Sequence, residues 1–246
     1  MQDAGPRNLK EAYTDPGVDV KCVGRDLGMW LAGLHACSKD VSLGLPSDDD
    51  DSSSRGDAAK KNKKNNAIAV EIYRHSYNNL HTINSTYGSL LATDDECLCH
   101  GDFWPGNVLV DLSPPAPQSP TASDFELTRL GTSATDVGQF CAEAFLLDRF
   151  RGGRGLLPAF LGSYVEARGD GLDKEWVKRM VVHWAVHVAF WPTRVKWAES
   201  EAGTGELVGM GVRVLEGVVR GDWEGVLGEE LVRGVVEVLG GLLGRP

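Results

Sequence analysis

Residues 99–107 read Cys-His-Gly-Asp-Phe-Trp-Pro-Gly-Asn, and seventeen positions beyond that asparagine stands Asp124-Phe125-Glu126. Short apolar runs with strand character flank both segments: Glu96 to Cys99, Val108 to Leu112 and Thr121 to Phe125. The order strand, loop, strand, turn, strand carries Asp102, Asn107 and Asp124 to one edge. Either segment alone reads as a polar turn, but their order, spacing and strand context together point to chemistry. Asp102 follows a strand directly, where its carboxylate can face a hydroxyl and accept its proton. Asn107 offers a neutral oxygen suited to a hard cation, and Asp124 a charged one. That is the set phosphoryl transfer needs, a reaction dominated by positioning and charge neutralisation. His100 and Gly101 shape the turn, the glycine by permitting tight backbone geometry and the histidine by hydrogen-bonding the loop.

The rest of the chain reads as helix. Val23, Leu27, Trp30, Leu31 and Leu34 recur on one face of Val20 to Cys37, and Ile68, Ile72, Tyr73, Leu80 and Ile83 do so over Ala67 to Tyr87. After Ala134 the patterns predict helices over 135–148, 156–168, 173–191, 204–220 and 229–243, with Pro192 as a break. The fold class is therefore α+β, predominantly helical, with a small β-hairpin region at its centre. Residues 1–19, broken by Pro6, Pro16 and Gly17, read as an irregular lead-in to a domain over 20–246. Five aspartates, four serines and four lysines leave 46–66 little to bury, which predicts a disordered insertion. The proline-rich stretch 113–120 cannot enter a ladder and is expected to be a loop.

Composition narrows the partners. A net charge of −10 argues against nucleic acid, which requires a basic face. The apolar run Met180 to Trp191 is too short to span a bilayer, and the N-terminus lacks the basic start and apolar stretch of a signal peptide. Five cysteines in no framework spacing read as reduced thiols. These features predict a cytoplasmic protein with no membrane partner. A protein partner is left unassigned.

Leu98-Cys99-His100-Gly101-Asp102, Asn107-Val108-Leu109-Val110, Ser123-Asp124-Phe125-Glu126, Leu130-Gly131 and Asp136-Val137-Gly138-Gln139-Phe140 resemble the aminoglycoside phosphotransferase family. Its relatives include choline kinase and methylthioribose kinase, within the protein-kinase-like fold. Gly28 to Ala36 looks like the first helix of that family's C-terminal lobe. The resemblance implies ATP as phosphoryl donor, Mg²⁺ as cofactor and a small-molecule hydroxyl as acceptor. By the same resemblance Asp102 is the catalytic base, Asn107 and Asp124 bind magnesium, and Leu109 lies under the adenine. Asp136 steadies the catalytic loop from the next helix, with His100, Gly101 and Glu126 as further loop residues. His183, His187 and Trp191 are candidates for the acceptor pocket. Family members carry an N-terminal lobe with a phosphate-covering loop and a lysine. Residues 1–19 hold Lys10 but no glycine-rich loop and no strand-borne Val-x-x-Lys, so that lobe is read as missing, which would leave the chain truncated or inactive.

Two alternatives stand beside the phosphotransferase: a silent lobe that acts by binding a partner, and, less favoured, a metal-dependent hydrolase, for which no dinuclear ligand set appears. Cys97, Cys99 and His100 do not read as a metal site. On a strand the two cysteines share a face from which His100 points away, and no second ligand pair follows. His183 and His187 have ligand spacing, but Trp184 stands where a metalloprotease would place glutamate. Gly152-Gly153-Arg154-Gly155 has no preceding strand and reads as a loop.

Overall fold

The computed structural model describes residues 7–37, 60, 64, 81–112 and 119–244. The first elements are a two-residue strand, β1 (Arg7–Asn8), and a single helical turn, α1 (Leu9–Ala12). The long helix α2 (Val20–Cys37) follows, then a short one, α3 (His81–Thr86). Among the described residues four more strands surround the loop: β2 (Cys97–Cys99), β3 (Val108–Val110), β4 (Pro120–Ala122) and β5 (Arg129–Gly131). The helices α4 (Ser133–Phe150), α5 (Leu156–Arg168), α6 (Lys174–Phe190), α7 (Glu201–Arg220), α8 (Trp223–Gly228) and α9 (Val236–Leu243) complete the chain. No helix among the described residues is long and apolar enough to cross a membrane.

The strands form two small antiparallel sheets, one ordered β1-β3-β4 and the other pairing β2 with β5. The helices begin where their sequences supply caps. Asp173 accepts from Trp176 N at 2.7 Å to open α6, and Ser200 accepts from Gly203 N at 3.1 Å to open α7. Gly221, with φ 72°, ends α7 in the left-handed region that glycine tolerates. Helices α2 and α5 cross closely at Gly28, where a Cβ would lie 2.4 Å from Phe160 O, so no larger residue fits that crossing. The core runs from α2 through α4, α5 and α6, with Leu31, Phe140, Phe160, Val181 and Trp184 fully buried.

Several expectations from the sequence need correction. Residues 7–19 of the expected irregular lead-in are ordered: β1 pairs with β3, and Leu9, Ala12, Tyr13 and Val18 are buried. The segment is also tied to residues 148–155. Tyr13 Oη donates to Asp148 and accepts from Arg154 N at 2.8 Å. The Arg154 guanidinium donates to the carbonyls of Tyr13, Asp15 and Val18. The expected proline-rich loop at 113–120 is cut short, because Pro120 opens β4. This is an edge strand, and proline at its first position forfeits no ladder donor. Residues 113–118 lie outside the described residues. The insertion read at 46–66 does too, apart from Lys60 and Lys64. So does most of the helix read from Ala67, of which α3 is the described remainder. The helix expected over 229–243 is α9 preceded by a 3₁₀ turn at Arg233–Val235.

Candidate active site

The turn after β2 is suspended from a buried carboxylate. Asp136, one turn into α4, accepts from His100 N at 2.7 Å and from Gly101 N at 3.1 Å. Its Oδ2 also lies 3.2 Å from His35 Nε2, brought in by α2. Burial alone would raise the Asp136 carboxyl. The His35 hydrogen bond and the electrostatic influence of His35, His100 and Arg129 outweigh it and hold the group below the usual carboxylate range. Gly101 has φ 87°, and a Cβ there would stand 2.2 Å from Leu127 O, so both conformation and space demand glycine.

From that turn Asp102 emerges half-buried with both carboxylate oxygens engaged. Gln139 Nε2, one turn beyond Asp136, donates to Oδ1 at 2.6 Å, and Asn107 Nδ2 donates to Oδ2 at 3.1 Å. Asn107 Nδ2 also reaches Asp102 O at 3.0 Å, which fixes the orientation of the amide. The Asn107 carbonyl accepts from Ser123 N at 2.9 Å and Ser123 Oγ at 3.1 Å. This tie places Asp124, the next residue, beside the Asp102–Asn107 pair. Among the described residues Asp124 is the one non-glycine with positive φ, at 64°. Aspartate is among the few residues that tolerate that region, and such backbone clusters at functional sites. Asp124 exposes its carboxylate, and it and the Asn107 amide offer oxygen donors, the type that could hold a hard divalent cation.

His100 braces the loop in a defined tautomer. Its Nδ1 accepts from Asp102 N at 3.4 Å, so Nε2 carries the proton and donates to Ser123 O at 3.0 Å. Its ring packs against Phe125 at 4.7 Å and Phe103 at 5.5 Å, and Trp30 of α2 stacks on Phe103 at 5.7 Å. Trp30, expected on the apolar face of its helix, is 39% exposed and covers the outer side of the buried Phe103. Leu109 is half-buried on β3, opposite Asn8 and Thr121. Glu126 is exposed in the 3₁₀ turn Phe125–Leu127.

The acceptor candidates separate. Gln139 and Glu143 lie four apart on α4 and so share one face. The first holds Asp102, and the second stands 3.0 Å from His187 Nε2. Trp191 packs on His187 at 5.8 Å, and Lys10 Nζ lies 3.7 Å from Glu143 between the rings of Trp104 and Trp197. His183 instead is buried in the α4–α6 seam against Gly138. Burial, and then the neighbouring positive groups His187 and Arg129, push its imidazole down to about 3, so it is neutral. Gln139, His35 and Glu143 carry no signal of these roles in the sequence. Gln139 fell inside the segment Asp136 to Phe140 and His35 inside Gly28 to Ala36, with no role attached to either.

A helical lobe that presents an Asp-x₄-Asn loop between short strands, with a second aspartate closing the hairpin, has the architecture of a kinase-like phosphotransferase. Residues 5–178 match the phosphotransferase enzyme family, and the chain belongs to it. Over 113 residues, 44% of this chain, it is 27% identical to a 4-hydroxytryptamine kinase of Psilocybe cubensis. Over 116 residues, 45% of the chain, it is 24% identical to a 4-hydroxytryptamine kinase of Psilocybe cyanescens. The chain spans 30% and 31% of the length of these two relatives.

Proposed function

We propose that this lobe transfers the γ-phosphoryl group of ATP to a hydroxyl of a small molecule. One observation carries the reading: the Asp102 carboxylate, fixed by Gln139 and Asn107, is tied through Asn107 and Ser123 to Asp124. In this reading Asp102 orients the acceptor hydroxyl and takes its proton. With Oδ1 and Oδ2 each accepting one hydrogen bond, each keeps a second lone pair for that proton. Asn107 Oδ1 and Asp124 would hold Mg²⁺, which when bound supplies charge neutralisation for the donor phosphates. Leu109 would form part of the adenine floor. His187 and Trp191, joined to the loop through Glu143 and Gln139 on α4, would line the acceptor side. The relatives are 4-hydroxytryptamine kinases, which makes a hydroxylated arylalkylamine the first acceptor to try.

Calorimetric titration of Mg·ATP into the chain is the direct test, with Asp124→Ala as control. Saturable binding that the control loses supports the nucleotide site. Binding absent from the chain, or unchanged in the control, overturns the assignment of Asp124. Phosphorylation of 4-hydroxytryptamine that Asp102→Ala abolishes would then support the acceptor class.

A further inference from the structure

Three side chains that this reaction leaves unused converge beside the loop. Cys97 and Cys99 lie two apart on β2, so the pleat turns both to one face. Their sulfurs are 3.8 Å apart. Helix α2 supplies His35 to the same face. A ring nitrogen of His35 and the two sulfurs all lie within 4.8 Å of one another, and all three residues are buried. A tetrahedral centre with bonds of about 2.3 Å to sulfur and about 2.0 Å to nitrogen requires S···S of about 3.8 Å and S···N of about 3.6 Å. The sulfurs already hold that spacing, and the imidazole has a shift on the order of 1 Å to make.

Access and support are also present. His35 and Cys97 line a cavity of about 300 Å³ together with Glu96, Asp173 and Arg179. His35 has Tyr164 Oη 2.9 Å from Nδ1 and Asp136 3.2 Å from Nε2. Whichever nitrogen turns to an ion, the other keeps a polar partner that fixes the ring, as supporting groups of metal-bound histidines do. The spacing rule that spoke against a site here compared the cysteines with His100, which belongs to the loop. The third donor comes instead from a helix some sixty positions earlier in the chain.

The geometry points to a binding site for one thiophilic cation, Zn²⁺ or a softer ion, held by Cys97 Sγ, Cys99 Sγ and His35 with the fourth position toward the cavity. Each thiol releases its proton to solvent as its sulfur bonds the ion. Sulfur donors disfavour Mg²⁺, so this site and the oxygen set at Asn107 and Asp124 do not compete. The two sites are nonetheless joined, because His35 also contacts the Asp136 carboxylate that suspends the loop.

The test titrates the reduced, chelator-treated chain with Cd²⁺ alone and follows the ultraviolet thiolate-to-cadmium charge-transfer band, then adds Zn²⁺ in competition. The band should saturate at one equivalent and fall as Zn²⁺ is added. It should vanish in both Cys97→Ser and Cys99→Ser, persist in Cys22→Ser, and need at least tenfold more Cd²⁺ in His35→Gln. Cys97→Ala and Cys99→Ala replace any serine variant whose circular dichroism shows it unfolded. A missing or unsaturable band, or one unchanged in folded Cys97 and Cys99 variants, overturns the site and leaves a pair of buried thiols. None of these readouts depends on phosphoryl transfer, so the site and the proposed activity can fail separately.

Discussion

The loop region, 97–131, and the helices after it are held together by different forces. The helices rest on apolar burial: Phe140, Phe160, Leu146 and Trp184 are fully enclosed, and the Phe140 and Phe160 rings meet at 4.1 Å. The loop has strands of only three residues. Apart from the buried Phe103, which stacks on Phe140, it takes its shape from hydrogen bonds that reach it from α4, at Asp136 and Gln139. Stability and site geometry therefore separate, since burial sets the first and a few polar contacts from one helix set the second. A substitution in either region should betray which force it removed.

Asp102→Ala should give the largest effect and the cleanest separation. Turnover should fall by at least about 10³-fold, within the span usual for general-base removal. Stability in urea should change by less than about 1 kcal/mol, since the residue is half-buried and outside the core. A parallel loss of stability would place Asp102 in the scaffold instead. Phe160→Ala should do the reverse. It should cost about 3–5 kcal/mol by denaturant melting and leave the turnover of the folded fraction near wild type. Asp136→Asn straddles the two regions. It should cost about 3 kcal/mol, because the His35 and backbone donors lose a buried charged acceptor, and lower turnover as the loop loosens.

A smaller effect should follow pH. His183 is neutral in the fold down to about 3, against 6.5 when exposed. Between those values the unfolded chain binds the additional proton, so stability is complete above about pH 6.5 and declines as pH falls. The loss from this residue at pH 5 should be about 2 kcal/mol relative to pH 8. His183→Gln should flatten that limb of the stability–pH curve, and an unchanged limb would assign it to other groups. Smallest of all, Trp30→Ala should cost about 1 kcal/mol through the lost stack on Phe103. Its sharper signature should be faster amide exchange in the loop than in α4.

What the sequence made legible was local. Helix α2 was found at its observed bounds because Val23, Leu27 and Leu31 repeat at the helical period. Asp102, Asn107 and Asp124 stood out because type and spacing together encode them. What stayed hidden depends on contacts far apart in sequence. The first residues were misjudged because β1 pairs with the distant β3 and Tyr13 is held by Asp148 and Arg154, well over a hundred positions away. His35 looked like one more residue of a helix until folding set it against Asp136 and the β2 cysteines. The β4 boundary was misplaced because the left-handed turn at Asp124 ends the ladder at Ala122, and no apolar pattern records a backbone angle.

The grip of Arg154 on the early chain has a consequence for tolerated variation. Its guanidinium binds main-chain oxygens of three residues, Tyr13, Asp15 and Val18, so it recognises the path of that segment rather than the identities along it. Residues between those points are free to drift as long as the path survives. Position 154 itself has no such freedom, because lysine has no planar fork with which to reach several oxygens at once. One side chain thus fixes the path of a stretch in which Tyr13 and Val18 are held by their own burial as well.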